Sequence, residues 1–140
     1  MHKIQFINFP SIALDPQHLI LWLEDLCVHF NVSIEQFAVH FIGKDKMLEM
    51  NQKYLNHDTH TDILTFDYGN QQVINAELFV SEYMCGLNAF ENAQSIEDES
   101  LRLISHGFLH TIGFSDKKPE DKILMTEQED RCLQMFHVKQ

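Results

Sequence analysis

Apolar residues along this chain change their spacing several times, and each change marks an element. Ile4-Gln5-Phe6-Ile7-Asn8-Phe9 alternates as a strand does and stops at Pro10. From Asp15-Pro16, an N-cap followed by a first-turn proline, Leu19, Leu23, Leu26 and Phe30 recur at helical spacing. Residues 38–42 read as a second strand, and 44–56 as a helix whose Met47 and Met50 serve core packing. Two further strands, 63–68 and 76–80, flank the turn-forming pair Gly69-Asn70. Three helices follow: 82–92, a second opening at Ser95 and running to Ile112, and a last from Pro119 to about Phe136. Strands gathered between helices describe an α+β fold, a small mixed four-stranded sheet covered by helices. With 140 residues and 44% hydrophobic content, residues 1–140 are expected to form one domain with a genuine core.

Within the helix that opens at Ser95, polar chemistry concentrates on one side. Ser95 with Asp98 is a capping-box-like start, and neither proline nor glycine interrupts the run before Gly107. Leu101, Ile104, Phe108 and Ile112 fall opposite His106 on the helical wheel, so the histidines face away from the main apolar stripe. His106 and His110 are four apart, about 40° around the helix, so both imidazoles can converge on one ion. Gly113 can end the helix in a left-handed turn that folds the chain back and brings Asp116 to the same ion. Three protein ligands leave a position open for water, as a catalytic metal requires. Two histidines four apart can also be ordinary surface residues, since the chain holds nine histidines. The residue after the first histidine is Gly107, where H-E-x-x-H peptidases carry a glutamate as general base, which argues against peptide hydrolysis by that route.

These residues resemble a family. His106-Gly107-Phe108-Leu109-His110 with Gly113-Phe114 is similar to the H-G-x-L-H-L-x-G-Y-x-H signature of the YbeY family. A second stretch, Asn51, Tyr54, Asp58 and Thr61-Asp62-Ile63-Leu64-Thr65-Phe66, is similar to that family's L-N-x-x-Y-R-x-x-D-x-x-T-D-V-L-S-F segment. The resemblance covers residues 48–116 and implies a metal-dependent bacterial endoribonuclease associated with ribosomal RNA maturation and ribosome quality control. It also implies His106, His110 and Asp116 as metal ligands, with the two histidines acting through metal-bound water on single-stranded RNA.

Three positions depart from the pattern. Asp116 stands where the family has a third histidine, Leu55 where it has an arginine, and Ala76-Glu77 where it has Gly-Asp. Leu55 removes a bidentate phosphate partner. Asp116 lowers the formal charge of a bound divalent ion to about +1, so its water is less acidified than at a three-histidine site. Zinc suits two imidazoles and is the expected ion, one per chain, although an oxygen ligand also admits manganese or iron.

Charge sets a constraint on the partner. Ten lysines and arginines against 21 aspartates and glutamates give −11, where nucleic-acid binders usually carry a basic footprint. Lys117, Lys118 and Lys122 lie just beyond Asp116 as a local patch, or as solvated residues balancing Glu120 and Asp121. His57, in the polar stretch 57–62, is a candidate phosphate contact in place of the missing arginine, and Lys117 a second substrate contact. Thr61 and Asp62 more simply fix their loop by side-chain to backbone bonds. The acidity also fits recruitment by a basic ribosomal protein. The N-terminus lacks the build of a signal peptide and no apolar run reaches membrane-span length, so a cytoplasmic protein is expected. Cys27, Cys85 and Cys132 are odd in number and lack a C-x-x-C pair, which favours reduced thiols used as small apolar fillers.

The expected function is thus a metallo-endoribonuclease. Two rivals share its features: a non-catalytic, metal-containing ribosome-assembly factor, which would explain Leu55 and the acidity, and a zinc metallopeptidase.

Overall fold

A computed structural model describes residues 3–55 and 61–138. Four strands, β1 (Ile4–Ile7), β2 (Ser33–Ile42), β3 (Ile63–Asp67) and β4 (Val73–Ser81), form one sheet in the order β1-β2-β4-β3. β1, β2 and β4 are mutually parallel, and β3 pairs antiparallel with β4 at the edge. The helices are α1 (Pro16–Phe30), α2 (Lys44–Met50), α3 (Glu82–Glu91), α4 (Ile96–Thr111) and α5 (Pro119–Val138). The mixed α+β sheet expected from the pattern is therefore present among the described residues.

Alternation within the strands decides which face each residue meets. Phe37, Val39 and Phe41 of β2 and Ile74, Ala76, Leu78 and Val80 of β4 point into the main core, with α1, α4 and α5. Ile42 and Phe79 point the other way, with Leu64 and Phe66 of β3, onto Met47 and Met50 of α2. Trp22 fixes α1 to α5 by donating its indole N–H to the Cys132 carbonyl at 2.8 Å. All three cysteines are free, and burial pushes the Cys132 thiol up to about 12, so it packs as a neutral, unreactive filler.

Two elements differ from the reading of the pattern. β2 begins five residues earlier than expected, at Ser33, because its pairing with β4 skips Glu35 in a bulge that breaks the period-two alternation. The helix expected over 44–56 is α-helical only to Met50 and continues as a π-helical turn, Asn51–Leu55. Asn51 explains the change: fully buried, it donates to the Met47 carbonyl at 3.0 Å and accepts from Thr61 Oγ1 at 2.8 Å. The amide thus ties the end of α2 to the entry of β3.

Candidate metal centre

α4 runs through the middle of the molecule. Ser95 caps it by accepting the Asp98 N–H at 3.0 Å, whereas the Asp98 carboxylate takes His137 Nε2 at 2.8 Å and does not complete a capping box. Of the expected apolar side, Leu101, Ile104 and Phe108 are buried and Ile112 is half-buried, but Leu103 and Leu109 on its flanks are buried too, because the sheet, α3 and α5 all pack against this helix. Gly107 shows how close the sheet comes: a Cβ there would lie 2.8 Å from Leu78 Cγ and 3.1 Å from Ile63 Cδ1. Glycine at this position is a packing requirement, and the glutamate of a zinc peptidase would have no room.

The helix ends as its sequence predicts. Gly113 has φ +107°, its N–H bonds to the His110 carbonyl at 3.2 Å, and the Phe114 N–H reaches the Leu109 carbonyl at 3.0 Å, the Schellman arrangement. The reversal returns Asp116 to the helix. His106 Nε2 and His110 Nε2 are 2.9 Å apart, and Asp116 Oδ2 lies 3.2 Å from the first and 3.5 Å from the second.

Those three atoms have the right chemistry for a cation. Ligands about 2.05 Å from a tetrahedral zinc stand about 3.3 Å from one another, and the three separations bracket that value. His110 Nδ1 donates to the Phe114 carbonyl at 2.9 Å and His106 Nδ1 donates to Glu129 Oε2 at 2.7 Å. Both acceptors lack a proton, so each ring carries its hydrogen on Nδ1 and turns a lone pair at Nε2 toward Asp116. Two lone pairs and a carboxylate oxygen face one another, a set that a proton or a metal ion must neutralise. Burial by itself would lower the His106 imidazole, but the bonded Glu129 carboxylate, aided by Asp116 and Asp62, outweighs it and raises the group above its ordinary value.

The three residues sit on the wall of a cleft of about 520 Å³ whose other wall is β3 and its approach, with Thr61, Asp62, Thr65 and Asp67. This side is held rigidly. The Ser81 N–H bonds to the Asp62 carbonyl at 2.9 Å, and the Asp62 carboxylate accepts from Asn88 at 3.1 Å. Residues 61–65 of one sequence motif thus face His106 and His110 of the other across one opening.

Known proteins match this chain over most of its length. The family model for "Endoribonuclease YbeY" matches residues 13–137. The chain belongs to the YbeY endoribonuclease family. Among YbeY relatives, that of Flavobacterium psychrophilum is 37% identical over 121 residues, covering 86% of each chain. That of Flavobacterium johnsoniae is 37% identical over 138 residues, covering 96% of this chain and 99% of its own. The solution structure of a Thermotoga maritima protein shares the fold, with TM-score 0.66 at 24% identity over 97% of this chain and 90% of its own. Membership in YbeY bears out the resemblance and the enzyme class drawn from it.

Against the YbeY pattern, the structure brings together His106, His110 and Asp116, the substituted third position included. Leu55, at the arginine position, is 43% exposed at the end of the π-helical turn. Glu77, at the Gly-Asp position, points to the opposite face of the sheet, accepting from Tyr68 Oη at 3.1 Å and lying 3.0 Å from His40 Nε2. His57 lies outside the described residues. Lys117 is exposed beside Asp116, its N–H bonded to Ser115 Oγ at 3.2 Å, and is not among the residues lining the cleft. Among the described residues, no helix is long and apolar enough to cross a membrane.

Sequence reasoning missed Glu129 and Arg102. Arg102 Nη1 donates to Glu129 Oε1 at 2.9 Å and its Nη2 to Asp130 Oδ1 at 2.8 Å. A signal existed in the pattern of α5, where Glu129 takes a place in the buried stripe Met125, Cys132, Phe136. A carboxylate in an apolar stripe requires a partner.

Proposed function

We propose that this chain, acting as one YbeY-type unit over residues 1–140, is a metal-dependent endoribonuclease that hydrolyses phosphodiesters of single-stranded RNA. The observation that carries the reading is the convergence of His106 Nε2, His110 Nε2 and Asp116 Oδ2, 2.9–3.5 Å apart, on the wall of an open cleft. A divalent ion held there, most suitably zinc, supplies Lewis acidity toward water and toward a phosphate oxygen. The chain's own groups do the rest. His106 and His110 present neutral nitrogens, Asp116 reduces the local positive charge, and the rigid β3 wall limits how a strand lies in the cleft. The substrate is ribosomal RNA, with 16S 3′-end maturation and ribosome quality control as the setting, in the cytoplasm.

Catalysis on a polyanion by a chain of charge −11 needs local attraction. Lys117 beside Asp116 and His57 are the proposed substrate contacts, and a basic ribosomal protein the proposed recruiting partner. A second reading, a metal-containing assembly factor without cleavage, draws on Leu55, which stands at the family's arginine position and supplies no guanidinium. The test separates them. Purified protein is incubated with single-stranded RNA, with and without a chelator, beside His110→Ala. Cleavage that stops under both treatments supports the nuclease; cleavage that survives either reveals a contaminant, and none in the metal-loaded protein favours the assembly factor. Metal analysis should return about one ion per chain, lost in Asp116→Ala.

A further inference from the structure

We infer that Glu129, anchored by Arg102, is a positioning residue for the metal centre: it fixes which nitrogen of His106 faces the ion and strengthens that nitrogen as a donor. The inference rests on the reading that His106, His110 and Asp116 hold a metal ion.

Glu129 is 7% exposed, in a stripe that is otherwise apolar. Burying a carboxylate there is unfavourable unless its oxygens are engaged, and they are engaged separately. Oε1 accepts from Arg102 at 2.9 Å and Oε2 from His106 Nδ1 at 2.7 Å. Arg102 precedes His106 by four residues, so α4 stacks the guanidinium and the imidazole on successive turns and one carboxylate from α5 spans both. A staple between α4 and α5 needs only the arginine. The short bond to the ring nitrogen remote from the cleft goes further, because it excludes the tautomer whose lone pair would point away from Asp116.

The two histidines are held unequally. His110 donates to the neutral carbonyl of Phe114, at 2.9 Å, whereas His106 donates to an anion. A carboxylate partner makes the opposite nitrogen more basic than a carbonyl does, so His106 is the stronger ligand and Glu129 the residue whose loss weakens it.

Zinc alone serves as the probe, titrated into apo-protein against a chromophoric chelator, for the wild type, Glu129→Gln, Arg102→Met, Asp130→Ala and His110→Ala. Glutamine keeps an acceptor and the packing volume while removing the charge. The expected loss of zinc affinity is about 10- to 100-fold in Glu129→Gln. It should be about threefold to tenfold in Arg102→Met and under about twofold in Asp130→Ala, since Asp130 is itself exposed to solvent. In the zinc-loaded, nitrogen-15-labelled protein, the His106 Nδ1–H resonance should shift upfield in Glu129→Gln while that of His110 stays put, a signature that a mere staple would not produce. Equal zinc affinity and an unmoved His106 resonance would overturn the inference while leaving the metal site standing. A wild type that takes up no zinc, like His110→Ala, would instead remove the underlying reading and the inference with it. Should Glu129→Gln fail to fold by circular dichroism, Arg102→Met decides, and unchanged affinity there counts against it.

Discussion

Two polar clusters, one beneath α2 and one beside α4, meet at Thr61 and behave differently. Beneath α2, Asn51 is fully buried, its amide donating to Met47 and its oxygen accepting from Thr61. Each of these contacts pairs a donor with an acceptor. Beside α4, the atoms of His106, His110 and Asp116 that face one another are all acceptors once both Nδ1 hydrogens are engaged. Burial of a polar group marks neither structure nor function. The balance of donors and acceptors separates them, because a set of unmatched acceptors is stable only with a proton or a cation among them.

Substitutions can break this contrast. The largest effect is expected for Gly113→Val. A β-branched residue at φ +107° is strained by roughly 1–3 kcal/mol, and a Cβ would also meet Gln71 Cδ at 2.9 Å. Denaturant unfolding should show that loss, and zinc titration should show the affinity falling with it, since Asp116 depends on the reversal. Asn51→Leu acts on the cluster beneath α2, which reaches the metal cleft only through Thr61 on the facing wall. It leaves Thr61 without its partner and should destabilise by about 1–3 kcal/mol, with zinc affinity of the folded protein unchanged. Equal damage to zinc binding would mean that the two clusters are coupled through Thr61 and do not differ in this way.

Asp116→His sharpens the comparison from within the site. With the proposed ion bound, a third neutral ligand would restore its full charge and acidify its water, so cleavage of single-stranded RNA at neutral pH should rise several-fold, by about tenfold at most. A fall would show that the carboxylate has a role beyond holding the ion.

The smallest effect concerns Glu99, buried on α4. Burial raises its carboxyl above the ordinary 4.5, with Asp62 and Glu129 adding to the shift and Arg102 and the Asn88 hydrogen bond opposing it. A raised folded value means that the folded state holds its proton more tightly than the unfolded chain. Its contribution is complete below about pH 4.5 and is lost as pH rises through the raised value. Glu99→Gln should therefore flatten the decline of stability across that window and leave the protein slightly more stable at neutral pH. A steeper decline in the variant would contradict the assignment.

Much of this was legible in the residues, where local physics decides. Asp15-Pro16 opens α1, Ser95 caps α4, and Gly113 closes it, because capping and left-handed turns depend on a few neighbouring atoms. The strands of the main core follow from alternation. The early start of β2 and the π-helical turn after Met50 escaped, since the first depends on the register of β4 and the second on Thr61, ten residues ahead. Gly107 could be recognised as unable to move a proton, but only the proximity of Leu78 explains why it is glycine.

The site divides the same way. Spacing of four, a glycine three residues on and an oxygen donor beyond it are properties of one continuous segment, and they suffice to bring His106, His110 and Asp116 together. The segment also settles His110, through the Phe114 carbonyl, but which nitrogen His106 turns inward is settled from outside it by Glu129 of α5, 23 residues away, and the facing wall comes from β3. Hydrogen bonds across such distances are chosen by packing, because only the assembled core brings the two helices close enough for these side-chain atoms to meet at 2.7 Å.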